Sequence, residues 1–335
     1  MTERTTCLPS VSIGLPVHNG ERYLDATIRS ILGQTFGDLE LIVCDNASSD
    51  ATSAICLHHA AHDPRLIYHR QSRNLGAGPN YDDCFHRARG RYFKWAAHDD
   101  LLAPTYLART VAALEAKPDA VLCTTGITEI GAEGEVLRRY ANLLPGISAA
   151  HPAHRLAAVI HTRHECEDFF GLFRRQALIG TGLHGTYSGS DRVLLAEMAM
   201  RGPWVCVAEP LFLHREHPHR YTRAVLLKCR REAALWQDAT AVTRRTSGHF
   251  YWTVWRQYWH VVERNIFVPG LRRTCHAELL RWWFTDGHAA DVARDLARAT
   301  SPGLFEVVRA TKRSIVGRAR EARQGYAPPT RDAAP

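Results

Sequence analysis

No apolar run in the 335-residue sequence approaches the roughly 20 residues that a membrane span needs. No signal peptide is read at its start, where Met1 to Ser10 is short and polar. The expectation is a cytoplasmic protein, with peripheral contact at the inner membrane face left open. There is no CxxC pair and no HExxH, and the nine cysteines are scattered and odd in number. That pattern speaks for a reduced chain rather than a disulfide framework. Also missing is a Gly-rich, basic loop straight after the first apolar strand, where Pro16-Val17-His18-Asn19 stands instead. Its absence argues against a nucleotidyltransferase. Charge of neither sign dominates: Lys+Arg 42 against Asp+Glu 34 gives +8. Such an excess suits nucleotide, anionic lipid or nucleic acid and decides among none of them. With 45% hydrophobic and 23% charged residues, the chain has room for one large domain and an appendage, or for two domains.

What is present is an alternation. Val11 to Val17 reads as a strand and Glu21 to Leu32 as a helix. Leu39 to Asp45 is a second, almost wholly apolar strand, and its polar turn Asp45 to Asp50 opens the helix Ala51 to Ala61. A third strand spans Leu66 to His69. The Gly-rich loop Asn74 to Asn80 then precedes a helix from Tyr81 to Ala88. Strands alternating with helices predict an α/β fold with a mostly parallel sheet flanked by helices.

The chain is organised around Gly90 to Asp100. Tyr92 to Ala97 reads as a buried strand that ends in two adjacent carboxylates, Asp99 and Asp100. Ligands in such sheets bind at the carboxyl ends of the strands. Hard oxygen donors there suit Mg2+ or Mn2+, which in turn suits a diphosphate. Asp45 ends a second strand on the same rim, so one pocket is expected.

Val11 to Asp50 resembles the opening of family 2 glycosyltransferases: Pro-Val-His-Asn, then Tyr23-Leu24, then Ser30 to Phe36, then Leu41-Ile42-Val43 into Asp-Asn-x-Ser-Ser-Asp-x-Thr. Asn74-Leu75-Gly76, Ala88-Arg89-Gly90 and His98-Asp99-Asp100 follow in the family's order. The resemblance implies a GT-A fold, a nucleotide-sugar donor with a UDP-sugar first, a hydroxyl-bearing acceptor, Mn2+ or Mg2+, and inversion at the anomeric carbon. It further implies that Asp100 binds the metal and that Asp99 meets the ribose or sugar. His98 stands where the family usually has an acid. By the same likeness Asp45 would meet the base or ribose, backbone groups at Pro16, Val17 and Asn19 would line the base, and Asn74 would lie on the donor.

Past the metal motif a helix is read over Leu107 to Glu115, a strand over Ala120 to Thr124 and a hairpin over Thr128 to Arg139. Asp168 to Arg175 resembles the family's acceptor-side strand. Asp191, in Ser190-Asp191-Arg192 at the start of a helix, matches the family's catalytic base, although the same place suits an N-cap. Trp204 to His214 reads as a strand pair. Arg215-Glu216-His217-Pro218 resembles the segment closing this domain in the family. It implies a phosphate contact for Arg215 and offers His217 to the metal.

Two features invite other readings. His151, His154, His161, His164 and Cys166 crowd together, but Ala153 to Ile160 reads as an amphipathic helix, so zinc is set aside. From Tyr221 the chain turns helical and Arg- and Trp-rich, with helices read over Ala224 to Gln237 and Phe250 to Arg264. This predicts a GT-A domain over 1–220, a helical appendage over 221–323 and a disordered tail over 324–335. The Trp stripe reads as core between helices in preference to a lipid interface. The alternative function is an inactive GT-A-fold protein that binds anionic lipid or nucleic acid through the basic helices. Four acids kept at one rim, Asp45, Asp99, Asp100 and Asp191, argue against it. No nucleic-acid partner is expected.

Overall fold

The computed structural model describes residues 8–162, 164–220, 236–239, 250–285 and 288–300. The expected disordered tail and nearly all of the helix expected over Ala224 to Gln237 lie outside them.

Strands β1 (Val11–Val17), β2 (Leu39–Asp45), β3 (Leu66–Arg70) and β4 (Tyr92–Trp95) form a wholly parallel half-sheet in the order β3-β2-β1-β4. Helices α1 (Leu24–Leu32), α2 (Thr52–His62) and α3 (Ala77–Arg87) make the crossovers. With both faces covered, every residue of β1 and of β2 is buried, which is why these strands read as runs rather than alternations.

The other half is mixed. It contains β5 (Leu101–Leu102), β6 (Leu122–Ile130), β7 (Val136–Tyr140), β8 (Leu172–Arg174) and β9 (Trp204–Arg215), continuing the order as β4-β8-β6-β9-β5 with β7 on β6. Helices α4 (Tyr106–Ala116), α5 (Pro152–His161), the short α6 (Arg175–Leu178) and α7 (Ser190–Arg201) connect these strands.

Three local expectations change. Helix α3 starts at Ala77, not Tyr81, because Gly78 and Pro79 fit a first helical turn, where no intrahelical N–H bond is lost. The expected strand pair is one 12-residue strand, β9, whose register on β6 slips around Gly126 and absorbs Pro210 as a bulge. Glu167–Phe170 is a 3-10 turn, so the acceptor-side strand is only Leu172–Arg174.

Helices α8 (Phe250–Asn265), α9 (Pro269–Phe284) and α10 (His288–Thr300) follow. Helix α8 packs on α7, and α9 packs on α5. Val254, Tyr258, Val262, Leu279 and Trp282 join one core with Leu156, Leu195 and Phe173. Trp252, Trp255, Trp259 and Trp283 lie half-buried against that core. The helical region is thus continuous with the sheet's own interior on the α3–α7 side.

Candidate active site

The carboxyl ends of β1, β2 and β4 share one rim: Val17 pairs with Asp45, and the Ala96 N–H donates to the Gly14 carbonyl beyond β4. Two left-handed residues, Asn19 (φ 54°) and Ala47 (φ 57°), shape the turns there. These turns bind each other. The Asn19 N–H donates to Ser48 Oγ at 2.9 Å, the Ser49 N–H to Asn19 Oδ1 at 2.9 Å, and the Asn46 N–H to the Val17 carbonyl at 2.8 Å.

Asp45 is fully buried. Its Oδ1 accepts the Ser48 N–H at 2.8 Å, and its Oδ2 accepts Tyr68 Oη–H at 2.7 Å and Arg70 Nη1–H at 3.3 Å. The carboxylate holds the turn together, and a base would have to displace Tyr68 or Arg70 to reach it. Asn74 Oδ1 accepts from Asn46 Nδ2 and from the Gly76 N–H. Asn74 also lines a cleft of about 400 Å³ with Arg73, Leu75, Pro79, Thr186 and the 238–239 segment. Asn46, whose side chain bonds Asn74, Leu75 and Gly76, was missed in the sequence reading; its signal was its place directly after Asp45.

At the His98–Asp100 turn, Thr27 Oγ1 lies within hydrogen-bond reach of the carbonyls of both His98 and Asp100 and fixes the turn. Asp100 Oδ1 accepts the Arg215 N–H at 2.8 Å and lies 3.3 Å from His214 Nδ1. Asp99 Oδ2 lies 2.9 Å from His217 Nε2. Burial works against the Asp99 charge, but His98 and His217 outweigh it and hold this carboxyl well below its ordinary range. His214 behaves in the opposite sense: burial disfavours its cation, yet Asp100 raises its pKa overall. Sequence reasoning passed over His214 because it ends a strand; only the fold turns it toward Asp100.

Arg215 is held by the backbone. Its Nε–H donates to the Asp99 carbonyl at 2.8 Å, and its Nη1–H groups donate to the carbonyls of Gly131 and Ala132 at 3.1 and 3.0 Å. The guanidinium also lies over the Tyr23 ring, 4.7 Å from its centroid. Buried, it braces the β6–β7 turn against the His98–Asp100 turn through three backbone carbonyls.

A divalent ion fits the chemistry of this corner. Two carboxylates stand beside two imidazoles, and among the described residues the Nε2 of His214 and the Nδ1 of His217 are buried without a hydrogen-bond partner. Among the described residues no three His, Cys, Asp or Glu side chains are arranged as a ready metal cage. That matches ions that take one or two protein carboxylates and complete their shell with substrate phosphates. The His151–Cys166 cluster disperses instead. His151 caps α5, His161 pairs with Glu278, and His164 Nδ1 accepts the Cys166 N–H.

Asp191 lies in the first turn of α7; the cap position is Gly189 (φ +85°), so Asp191 is not the N-cap. Its surroundings tie it to the rim. The pKa of the buried Tyr81 hydroxyl is pushed up by burial first, then by Asp99, with Asp100 and Asp191 acting in the same direction. The His184 ring stacks on Tyr81 with centroids 4.4 Å apart. Burial lowers the His184 pKa, and Asp191 opposes that. Asp99 and Asp100 beyond β4 and Asp191 on α7 thus act electrostatically on the same tyrosine. Neither Tyr81 nor His184 carried a sequence signal beyond its position in a loop or helix start.

The loop leading to Asp191 is held from two sides. Gly78 approaches Gly185 so closely that a Cβ on Gly78 would lie 2.2 Å from the Gly185 carbonyl oxygen. The His184 N–H donates to Asp82 Oδ1 at 2.9 Å. From the other side, Phe250 and Val254 of α8 press on Gly189. Glu197, buried on α7, accepts from Arg201, Arg264 and Asn265. A lone acid inside Leu194-Leu195-Ala196-Glu197-Met198 was the sequence signal for that clamp.

Below the motif, Lys94 is fully buried. Its ammonium donates to the Phe170 carbonyl and lies over the Tyr106 and Phe212 rings. Burial pulls its pKa down to about 7, against the pull of Asp100. It lines a small cavity with Thr27, Asp100 and Phe212.

Comparison with known proteins agrees with this geometry. A family model described as glycosyl transferase family 2 matches residues 12–181, half of the chain. EpsE of Bacillus subtilis (strain 168), named as a glycosyltransferase, is 35% identical over 145 residues, covering 42% of this chain and 49% of that protein. A chondroitin synthase of Escherichia coli is 36% identical over 97 residues, covering 29% of this chain and 14% of that protein. The chain spans about half or less of the length of these curated relatives. Among solved structures, S. aureus TarS 1-349 in complex with UDP-GlcNAc superposes with a TM-score of 0.61 at 15% identity, covering 87% of this chain and 79% of that chain. That likeness gives the fold, a GT-A sheet with its helices. Family match, sheet order and the acid-bearing rim agree: the chain belongs to glycosyl transferase family 2.

Proposed function

We propose that the protein moves a sugar from a nucleoside-diphosphate sugar, with a UDP-sugar first, to an acceptor hydroxyl with inversion, in polysaccharide, glycolipid or secondary-metabolite glycosylation. The observation that carries this is the acid-bearing rim, where Asp45 ends β2 and Asp99 and Asp100 follow β4 with the buried imidazoles of His217 and His214 beside them. Asp100 and Asp99, with His214 and His217 beside them, would hold Mn2+ or Mg2+. When bound, that ion neutralises charge growing on the leaving diphosphate. Asp191 takes the proton from the acceptor hydroxyl while the acceptor oxygen bonds to the anomeric carbon and the carbon–oxygen bond to the β-phosphate breaks. The cleft along Asn74 and Pro79 is where the nucleotide would lie, with the turns at Pro16, Val17, Asn19 and Asp45 as its floor.

The test is Asp191→Asn, assayed for nucleoside-diphosphate release and for thermal stabilisation by UDP-sugars with Mn2+. The variant should keep the donor-induced shift and lose transfer by about 100-fold or more. Normal turnover in the variant would remove Asp191 from the chemistry.

A further inference from the structure

Helix α9 has two unlike faces. Cys275, Leu279 and Trp282 are buried on the side toward α5 and α8. On the opposite side Arg273, Leu280 and Phe284 fall on one stripe at helical spacing. Leu280 is 53% and Phe284 86% exposed, and the turn before the helix adds Phe267 at 78% and Val268 at 57%. From Arg273 to Phe284 the stripe runs about 17 Å along the helix. Large apolar side chains grouped this way mark an interaction surface.

The charge around the stripe says what it meets. Arg273 is exposed and makes no ion pair among the described residues. Arg281 has only a loose partner, Glu278 at 3.7 Å, and its side chain is 67% exposed. A second copy of the chain would bring like charges face to face. An anionic lipid surface accepts both features, since Arg stems lie along the apolar layer while guanidinium groups stay among the headgroups.

We infer that this face docks the protein on an anionic bilayer, with α9 in the headgroup plane and Phe267, Leu280 and Phe284 inserted. Docking there is independent of the donor and metal assignments. Among the described residues no helix is long and apolar enough to cross a membrane, so the contact is at the surface.

The test is sedimentation of the full chain with vesicles of equal parts phosphatidylglycerol and phosphatidylcholine, and with pure phosphatidylcholine. The protein should bind the anionic vesicles alone and should leave them as salt rises. Phe267→Ser with Phe284→Ser should cut binding about tenfold or more, and Arg273→Gln or Arg281→Gln about fivefold each. All four positions are exposed, so unchanged melting of the variants confirms that folding is not being read. Failure to bind anionic vesicles at low salt would overturn the inference, and so would binding that the Phe pair leaves unchanged. A wild-type dimer that the Phe pair converts to monomer would assign the face to a second copy and overturn it equally.

Discussion

Arg264→Ala removes the charged link between the C-terminal helices and the helix bearing Asp191, and leaves their apolar packing and the Asn265 bond in place. Arg264 donates Nε–H to Glu197 Oε1 at 3.2 Å and Nη2–H to Oε2 at 2.6 Å. Glu197 is 1% exposed, whereas the Arg264 side chain is 45% exposed. After the change Oε1 keeps Arg201 at 2.9 Å and Asn265 at 3.0 Å, but Oε2 keeps only the distant Gly182 N–H at 3.5 Å. Charge-assisted bonds of this kind are worth roughly 1.5–3 kcal/mol each. Solvent screening of the half-exposed guanidinium reduces their sum to about 2 kcal/mol. In a chain of 335 residues that lowers Tm by about 3 °C. Chemical denaturation of Arg264→Ala, Glu197→Gln and the double variant gives the coupling directly. Arg264→Lys should restore part of it. A coupling below about 0.5 kcal/mol would refute the clamp. Because Gly182 and Asp191 hang on the same helix, Arg264→Ala should also lower kcat for transfer more than it weakens donor binding.

Other outcomes follow from single contacts. Burial, and then Glu167, push the Asp168 carboxyl up to about 7. The folded chain keeps a proton that the unfolded chain has released, so this group's contribution to stability falls as pH rises from about 4 to 7 and is level above that. Asp168→Asn, which still accepts from Asn142, should match wild type near pH 4 and exceed it by up to about 4 kcal/mol at pH 8; parallel pH profiles would contradict this. Gly78→Ala should cost about 1–3 kcal/mol in denaturation by forcing α3 from the 180–189 loop, and a change within about 0.3 kcal/mol would mean that the close approach is not made.

The parallel half of the fold was legible because its signals are local. Apolar runs such as Leu41-Ile42-Val43 stop at Asp45, and Tyr92 to Trp95 stop short of Asp99, where turn residues and acids coincide. The acids are read from sequence because a strand end fixes their position within a residue or two. Long-range contacts were not legible. Nothing near Arg215 foretells that Gly131 and Ala132 will take its guanidinium, since the β6–β7 turn lies more than eighty residues away. His214 was hidden for the same reason, as β9 meets β5 only through the fold. Trp204 to His214 read as a strand pair because the bulge that absorbs Pro210 is set by the partner strand.

The most direct measurement is calorimetric titration of UDP into the wild type and into Asp100→Ala, each with and without Mn2+. The expected result is UDP binding that Mn2+ strengthens about tenfold or more in the wild type and leaves unchanged in Asp100→Ala. Equal UDP affinity with and without the ion in the wild type, or an enhancement that survives in Asp100→Ala, would contradict a cation-bearing diphosphate site at this rim.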